Sequence, residues 1–380
     1  MGDTTRTGVP ADLPAKLMES RGVVREADAF ITACMFSRDS GRVAFATGDG
    51  MLHVAANGAA LGRSRPWDGA WDRIKVHEGS VLSLAQDVGA QDFLTGGDDN
   101  RLCRVLGGEA DAASAGRVRE LARGRRWVEH VASVLDGKTG LIASAHGKQV
   151  ELRDEQGRLL RDFVHDSTVA GLAFDAKGKR IAVAHYGGVS LRFVNARTEA
   201  PRLLVWKGSH IAIAMHPGGE AVVTAMQENE LHGWRLADGH NMRMSGYPQK
   251  TQSLSFSRNG RWLATSGADV IVLWPFFGGG PMGKAPTELA GVPGAVCTRV
   301  AFHPQHEMVA AGFADGTVLM SDVATKRVLP ICGAAVATED ATISALAFSP
   351  DGTMLAFGSG SGRMAAVDLA VSQASPSAKK

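Results

Sequence analysis

Short apolar runs alternate with turn residues along nearly the whole chain. The cleanest instance lies near the C-terminus, from Ile343 to Leu369 (ISALAFSPDGTMLAFGSGSGRMAAVDL). Ile343, Ala345 and Ala347 alternate with Ser344 and Leu346, a Ser-Pro-Asp-Gly turn follows, Met354 to Phe357 are apolar, and a Gly/Ser cluster leads into Met364 to Val367. Pro350 presets φ and Gly352 accepts a positive φ, so the pattern predicts three antiparallel strands joined by hairpins. Three such strands cannot bury both faces alone, so copies of the unit must stack.

The same order of strand and turn recurs upstream. A first copy runs through Phe30 to Ser37, Val43 to Thr47 and Met51 to Ala55, and a second through Ser80 to Ala85, Asp92 to Thr95 and Arg101 to Leu106, followed by a Gly/Ala-rich excursion. The third extends from Trp127 to Phe163, with a fourth strand starting at Leu159. The fourth extends from Val169 to Trp206, the fifth from Ile211 to Arg235, the sixth from Ser253 to Trp274 and the seventh from Thr298 to Ser321. Phe174, Met215, Phe256, Phe302 and Phe348 follow one another at roughly 40 to 46 residues, the period of a four-stranded propeller blade. An all-β fold is expected: one closed β-propeller of four-stranded antiparallel blades over residues 21–370. Eight blades are expected, or seven if the second or third copy is irregular. Residues 1–20 read as a flexible leader and 371–380 as a flexible tail. The last copy stops at its third strand, whereas Gly22 to Ala27 forms a surplus strand at the other end. The N-terminal strand is therefore expected to complete the last blade and close the ring.

Composition narrows the function classes. With 44% hydrophobic residues, 46 Gly and 21% charged residues, the chain suits many short buried strands and not disorder or a coiled coil. A formal charge of +2 gives no global field for nucleic acid or acidic membranes. Cys34, Cys103, Cys297 and Cys332 form no CxxC pair and sit mostly in apolar runs, so buried free thiols in a reducing, cytoplasmic compartment are expected over disulfides or metal ligands. The first twenty residues have neither an apolar core nor a basic start, and no apolar run approaches a membrane span, so neither a secretory signal nor a membrane anchor is expected.

The turn AFSPDG at 347–352 has variants AFDAKG, AMHPGG, SFSRNG and AFHPQH; aspartates such as Asp49, Asp98, Asp269 and Asp315 occupy second turns, and Trp234 and Trp274 end third strands. Over about residues 21–370 these features together resemble the WD-repeat β-propeller family, in a degenerate, bacterial-type form. No third strand ends in an intact Trp-Asp pair, and a histidine entering a first strand is available only at His77, His165 and His210. The resemblance implies a non-enzymatic interaction scaffold or adaptor without cofactor, a monomeric propeller within a complex of other proteins.

Candidate chemistry is sparse. No GxSxG, HExxH or Walker-type loop occurs, and GSGSG at 358–362 leads into a strand, so no helix N-terminus is there to hold phosphate. His210 and His216 share a strand face but stand about 20 Å apart by strand rise, too far for one metal ion. His146 and His185 occupy equivalent places at one rim of the channel, together with Asp49, Asp98, Glu228, Asp269 and Asp315. Without an evident third ligand they favour turn hydrogen bonding, and the resemblance implies that the aspartates satisfy amides of their own blades. An enzyme or small-ligand binder at the channel mouth is the alternative to a scaffold; metal handling, or companionship to a metal-trafficking protein, stands lower. Three interruptions of the repeat are the candidate partner-binding loops, because loops vary while blades do not. They are Gly62 to Arg73, with Arg63, Arg65, Trp67 and Trp71; the basic, partly helix-compatible Arg117 to Trp127, with Arg123, Arg125 and Arg126; and Pro275 to Lys284, with Phe276 and Phe277, which also reads as a covering flap.

Overall fold

The computed structural model describes residues 16–57, 69–108, 114–136, 139–196, 200–335 and 340–370. Its strands lie where the apolar runs lie, and each first strand pairs antiparallel with the second, the second with the third and the third with the fourth. Second strands are buried along almost their whole length, as in Arg42–Thr47, Ala221–Met226 and Met354–Ser359. Both of their faces lie against neighbouring sheets, so they read as continuous apolar runs rather than as alternation. Outer strands face water on one side and do alternate, as Asn241–Met244 shows.

The hydrophobic core is divided among the gaps between successive copies. Leu52, Ile74, Val81 and Phe93 join the first copy to the second, and Val150, Phe163, Val169 and Ile181 the third to the fourth. Ile271, Leu289, Phe302 and Phe313 join the sixth to the seventh. One cluster joins the two ends of the chain: Ile31, Phe36 and Phe45 pack with Met354, Ala356 and Met364. A close approach repeats across these gaps. A Cβ on Gly312 would sit 2.4 Å from Ile343 in the following copy, and one on Gly358 would sit 2.5 Å from Ile31 in the first. At both places glycine lets a β-branched residue of the next sheet reach the backbone. The N-terminal strand Gly22–Glu26 pairs antiparallel with Arg363–Asp368, from Gly22 opposite Val367 to Glu26 opposite Arg363, as the outer strand of the last sheet.

Three expectations need correction. Counted as hydrogen-bonded sheets the number is seven, six of four strands and one of six, and not eight. The fourth and fifth copies share the six-stranded sheet because Arg180–Phe193 and Arg202–Met215 each run through fourteen residues. A Tyr186–Ser209 pair continues the ladder where separate strands are expected, and left-handed Gly187 and Gly188 (φ +90° and +143°) mark the point at which the pairing partner changes. The two copies still pack face to face through Ala182, Val189, Leu204, Val222 and Trp234. Second, the basic excursion is no helix: after a single 3-10 turn at Ser114–Arg117, Val118–Arg123 pairs with Arg101–Val105 as the second copy's outer strand. Third, the leader contains a helical turn, Lys16–Arg21, whose Met18 is buried beside Ile331, Cys332 and Val367.

Candidate functional site

Antiparallel four-stranded sheets place the second-to-third turns and the connections from one copy to the next at one end of the molecule, and the first-to-second and third-to-fourth turns at the opposite end. At the first end most candidate rim residues hold their own blades together. Asp49 accepts the Thr47 hydroxyl, and Asp315 accepts from Thr317 N (2.9 Å) and Oγ1 (2.8 Å). Beside Asp98, Asp99 carries the principal network. Its Oδ1 lies 2.8 Å from His77 Nδ1, and its Oδ2 accepts from Arg101 Nε (2.7 Å) and Glu78 N (3.1 Å). His77 Nε2 in turn lies 2.9 Å from Thr95 Oγ1. Burial pushes the Asp99 carboxyl up, but the bonds from Arg101 and His77 outweigh it and hold the group at about 2.

Equivalent places carry simpler versions: His165 Nε2 with Ser190 Oγ (2.8 Å) and His210 Nδ1 with Thr224 Oγ1 (2.7 Å). In the sixth copy Tyr247 replaces the histidine; its hydroxyl lies 2.5 Å from Thr265 Oγ1 and accepts from Trp274 Nε1 (2.6 Å). Burial, reinforced by the neighbouring His185, lowers His165 from 6.5 to about 4.

His185 places its ring 5.5 Å from His165 and its Nδ1 2.9 Å from the Tyr186 carbonyl oxygen. His146 is buried with Ser144 Oγ at 3.0 Å and Glu151 at 3.6 Å. Asp269 contributes its backbone carbonyl to Val292 N (3.0 Å), and Glu228 is exposed. Among the described residues no three His, Cys, Asp or Glu side chains gather as metal ligands. Burial pushes the Cys34 and Cys297 thiols up to about 12, which leaves them unreactive.

The opposite end is built around one turn position. Ser349 Oγ donates to Asp351 Oδ1 (2.6 Å) and accepts from Met354 N (3.0 Å); Ser37 and Ser257 do the same in the first and sixth copies. Histidine takes the position in the fifth and seventh. His216 Nδ1 accepts from Gly218 N (3.1 Å) while Nε2 donates to Gly260 O of the next turn (3.0 Å), and His303 reaches Gly352 O in the same way (2.9 Å). A carbonyl only accepts and an amide N–H only donates, so both rings are neutral Nε2–H tautomers. Beside His216 lies a cavity of about 270 Å³ lined by Met242, Arg235, Arg261, Phe276, Phe277 and Gly278 to Gly280, among others.

The candidate loops divide. Arg63, Arg65 and Trp67 lie outside the described residues. Trp71 is half-buried, stacked on Phe45 at 5.5 Å, and so closes a blade edge. Arg123 is paired with Glu120 (2.8 Å), whereas Arg125, Arg126 and the neighbouring Trp127 are exposed. Phe276 is buried, contrary to its expected part in partner binding; Phe277 is half-exposed, edge-on to Trp262.

An outer surface that the repeat pattern did not single out also carries large apolar side chains in solvent. Leu159, Leu160 and Val164 on the outer strand Leu159–Val164 face solvent, as do Phe193, Leu203 and Val205 in the next copy. Val164 and Val205 are 72% and 70% exposed. Arg161 ties the two copies together, donating to the carbonyls of Phe193 (3.3 Å) and Val194 (2.9 Å). The available signal was the adjacent leucines, Leu159 with Leu160 and Leu203 with Leu204, where strict alternation would leave a polar residue at one position of each pair.

A family model described as the anaphase-promoting complex subunit 4 WD40 domain matches residues 300–376. No curated protein matches the chain. Among 1865 matching solved chains is the crystal structure of the computationally designed Ika8 protein, 19% identical, which covers 90% of this chain and 98% of its own with a TM-score of 0.68. A likeness that wide shows the fold and no particular activity. The stacked four-stranded sheets and the width of that likeness show a β-propeller, and its C-terminal repeats, residues 300–376, are similar to a WD40 domain.

Proposed function

We propose that this propeller is a non-enzymatic scaffold or adaptor for other proteins, acting in the cytoplasm as one closed domain over residues 21–370 and as a monomer within its complex. WD40 domains commonly serve protein interaction, which gives the class. The observation that carries the reading is the outer apolar surface of the third and fourth copies. Six large apolar side chains stand in water there, on strands where a free monomer gains nothing from them. Polar groups at the channel end support it, because His77, Asp99, Asp49 and Asp315 are engaged in bonds within their own sheets. Ring closure by the N-terminal strand belongs to the same reading and is supported by its pairing with Arg363–Asp368 and by the matching contacts of Gly312 and Gly358.

The test is quantitative capture from native lysate with the intact protein and with Leu203→Asp/Val205→Asp. A protein retained near one-to-one by the intact chain and lost by the variant supports the reading; an unchanged set of retained proteins, or none with either, contradicts it.

A further inference from the structure

The cavity between the fifth and sixth copies is not explained by a surface for proteins. Its floor is apolar, made by Met242, Ala221 and Phe276, with the His216 ring 6.3 Å from that of Phe276. Its wall is the loop Gly278 to Gly280, three consecutive residues with φ of +64°, +91° and +109°. That conformation is open to glycine and strained for other residues. The carbonyls of this loop are all engaged. Lys284 Nζ donates to the oxygens of Phe277, Gly278 (3.5 Å) and Gly280 (2.9 Å), and Arg235 Nη1 donates to Gly279 O (3.1 Å). The N–H groups of Gly278, Gly279 and Gly280 have no acceptor among the described residues.

The cations around the loop differ in what they do. Lys284 is consumed by carbonyls and Arg235 is paired with Asp238 (2.5 Å). Arg261 lies over the Phe277 ring, 5.0 Å from its centroid, and its guanidinium has no hydrogen-bond or carboxylate partner among the described residues. A free guanidinium beside unpaired backbone N–H groups is a set of donors without an acceptor, which is what an oxyanion supplies. The one carboxylate on the lining, Glu220, limits the charge the site tolerates and disfavours a dianion.

We propose that this cavity binds a small carboxylate carrying an apolar group, with the carboxylate on Arg261 and the loop N–H groups and the apolar part over Phe276 and Met242. The carboxylate can belong to a free acid or to the C-terminus of a chain, and the probes separate the two. Benzoate and N-acetylphenylalanine are titrated by calorimetry, each beside its neutral amide, benzamide and N-acetylphenylalaninamide. Saturable binding of at least one acid is expected, with its amide at least about tenfold weaker, as loss of a charge-assisted bond predicts. Arg261→Ala weakens the acid by a similar factor while melting like the intact protein. Glu220→Gln tightens it about twofold to threefold, and gives a second reading should Arg261→Ala fold poorly. Equal binding of acid and amide, undiminished binding to Arg261→Ala, or no saturation by either acid at about 10 mM overturns the proposal. None of these outcomes depends on whether a protein partner is captured on the outer surface.

Discussion

Two outer surfaces occupy the same topological place and have opposite chemistry. In the second copy the outer strand Val118–Arg123 carries Arg119, Glu120 and Arg123. A polar chain runs to it from inside the sheet, from Thr95 through His77, Asp99 and Arg101 to Glu120 and Arg123. In the third and fourth copies the corresponding chain stops at the His165–Ser190 bond, and the outer strands present Leu159, Leu160, Val164, Leu203 and Val205 to solvent, with Asp162 as the exposed carboxylate among them. Charges on an edge strand keep other chains from adding to it, whereas an edge dominated by apolar side chains invites a partner. The contrast teaches that this propeller protects one flank and leaves another open.

Removing an outer strand altogether gives the largest expected effect. Deleting residues 1–27 takes away Gly22–Glu26 and Met18, and should cost about 3 kcal/mol or more, seen as a melting temperature several degrees below that of a chain lacking only residues 1–15. Equal melting temperatures would show that the last sheet does not need its N-terminal strand. Next come the buried networks. Tyr247→Phe removes the hydroxyl that joins Thr265 to Trp274 and should cost about 1–2 kcal/mol by denaturant titration.

The His165 site sharpens the comparison through pH. Its folded-state value, about 4, lies below the ordinary 6.5, so the unfolded chain takes up the proton first. Its contribution is complete above about pH 6.5 and is lost as pH falls toward about 4. The melting temperature of the intact protein should therefore decline over that range more steeply than that of His165→Gln, and parallel curves would remove His165 as the cause. The smallest effect belongs to the protected flank: Glu120→Gln breaks exposed ion pairs and should change stability by less than about 0.5 kcal/mol.

How far these regions could be read from sequence follows from their physics. The period, the turn residues and the surplus strand at Gly22 are local patterns, and they led to sheets of the right kind in the right places. The fusion of the fourth and fifth copies depends on a Tyr186–Ser209 pair 23 residues apart, which no local pattern announces. Val118–Arg123 was obscured because its charges follow a Gly/Ala-rich stretch and read as a loop; only pairing with Arg101–Val105 makes it a strand. Aromatic and basic loops drew attention by composition, yet Trp71 and Phe276 turn inward. The exposed leucines were overlooked because an apolar strand in a repeat reads as core.

The central claim is that the apolar flank, and not the charged one, meets another protein. A photo-crosslinking amino acid in place of Leu203 and, separately, in place of Arg119, followed by irradiation of living cells that produce the protein, tests it directly. The account predicts a discrete adduct with a second protein from position 203 and none from position 119; adducts of equal yield from both positions, or none from 203, would contradict it.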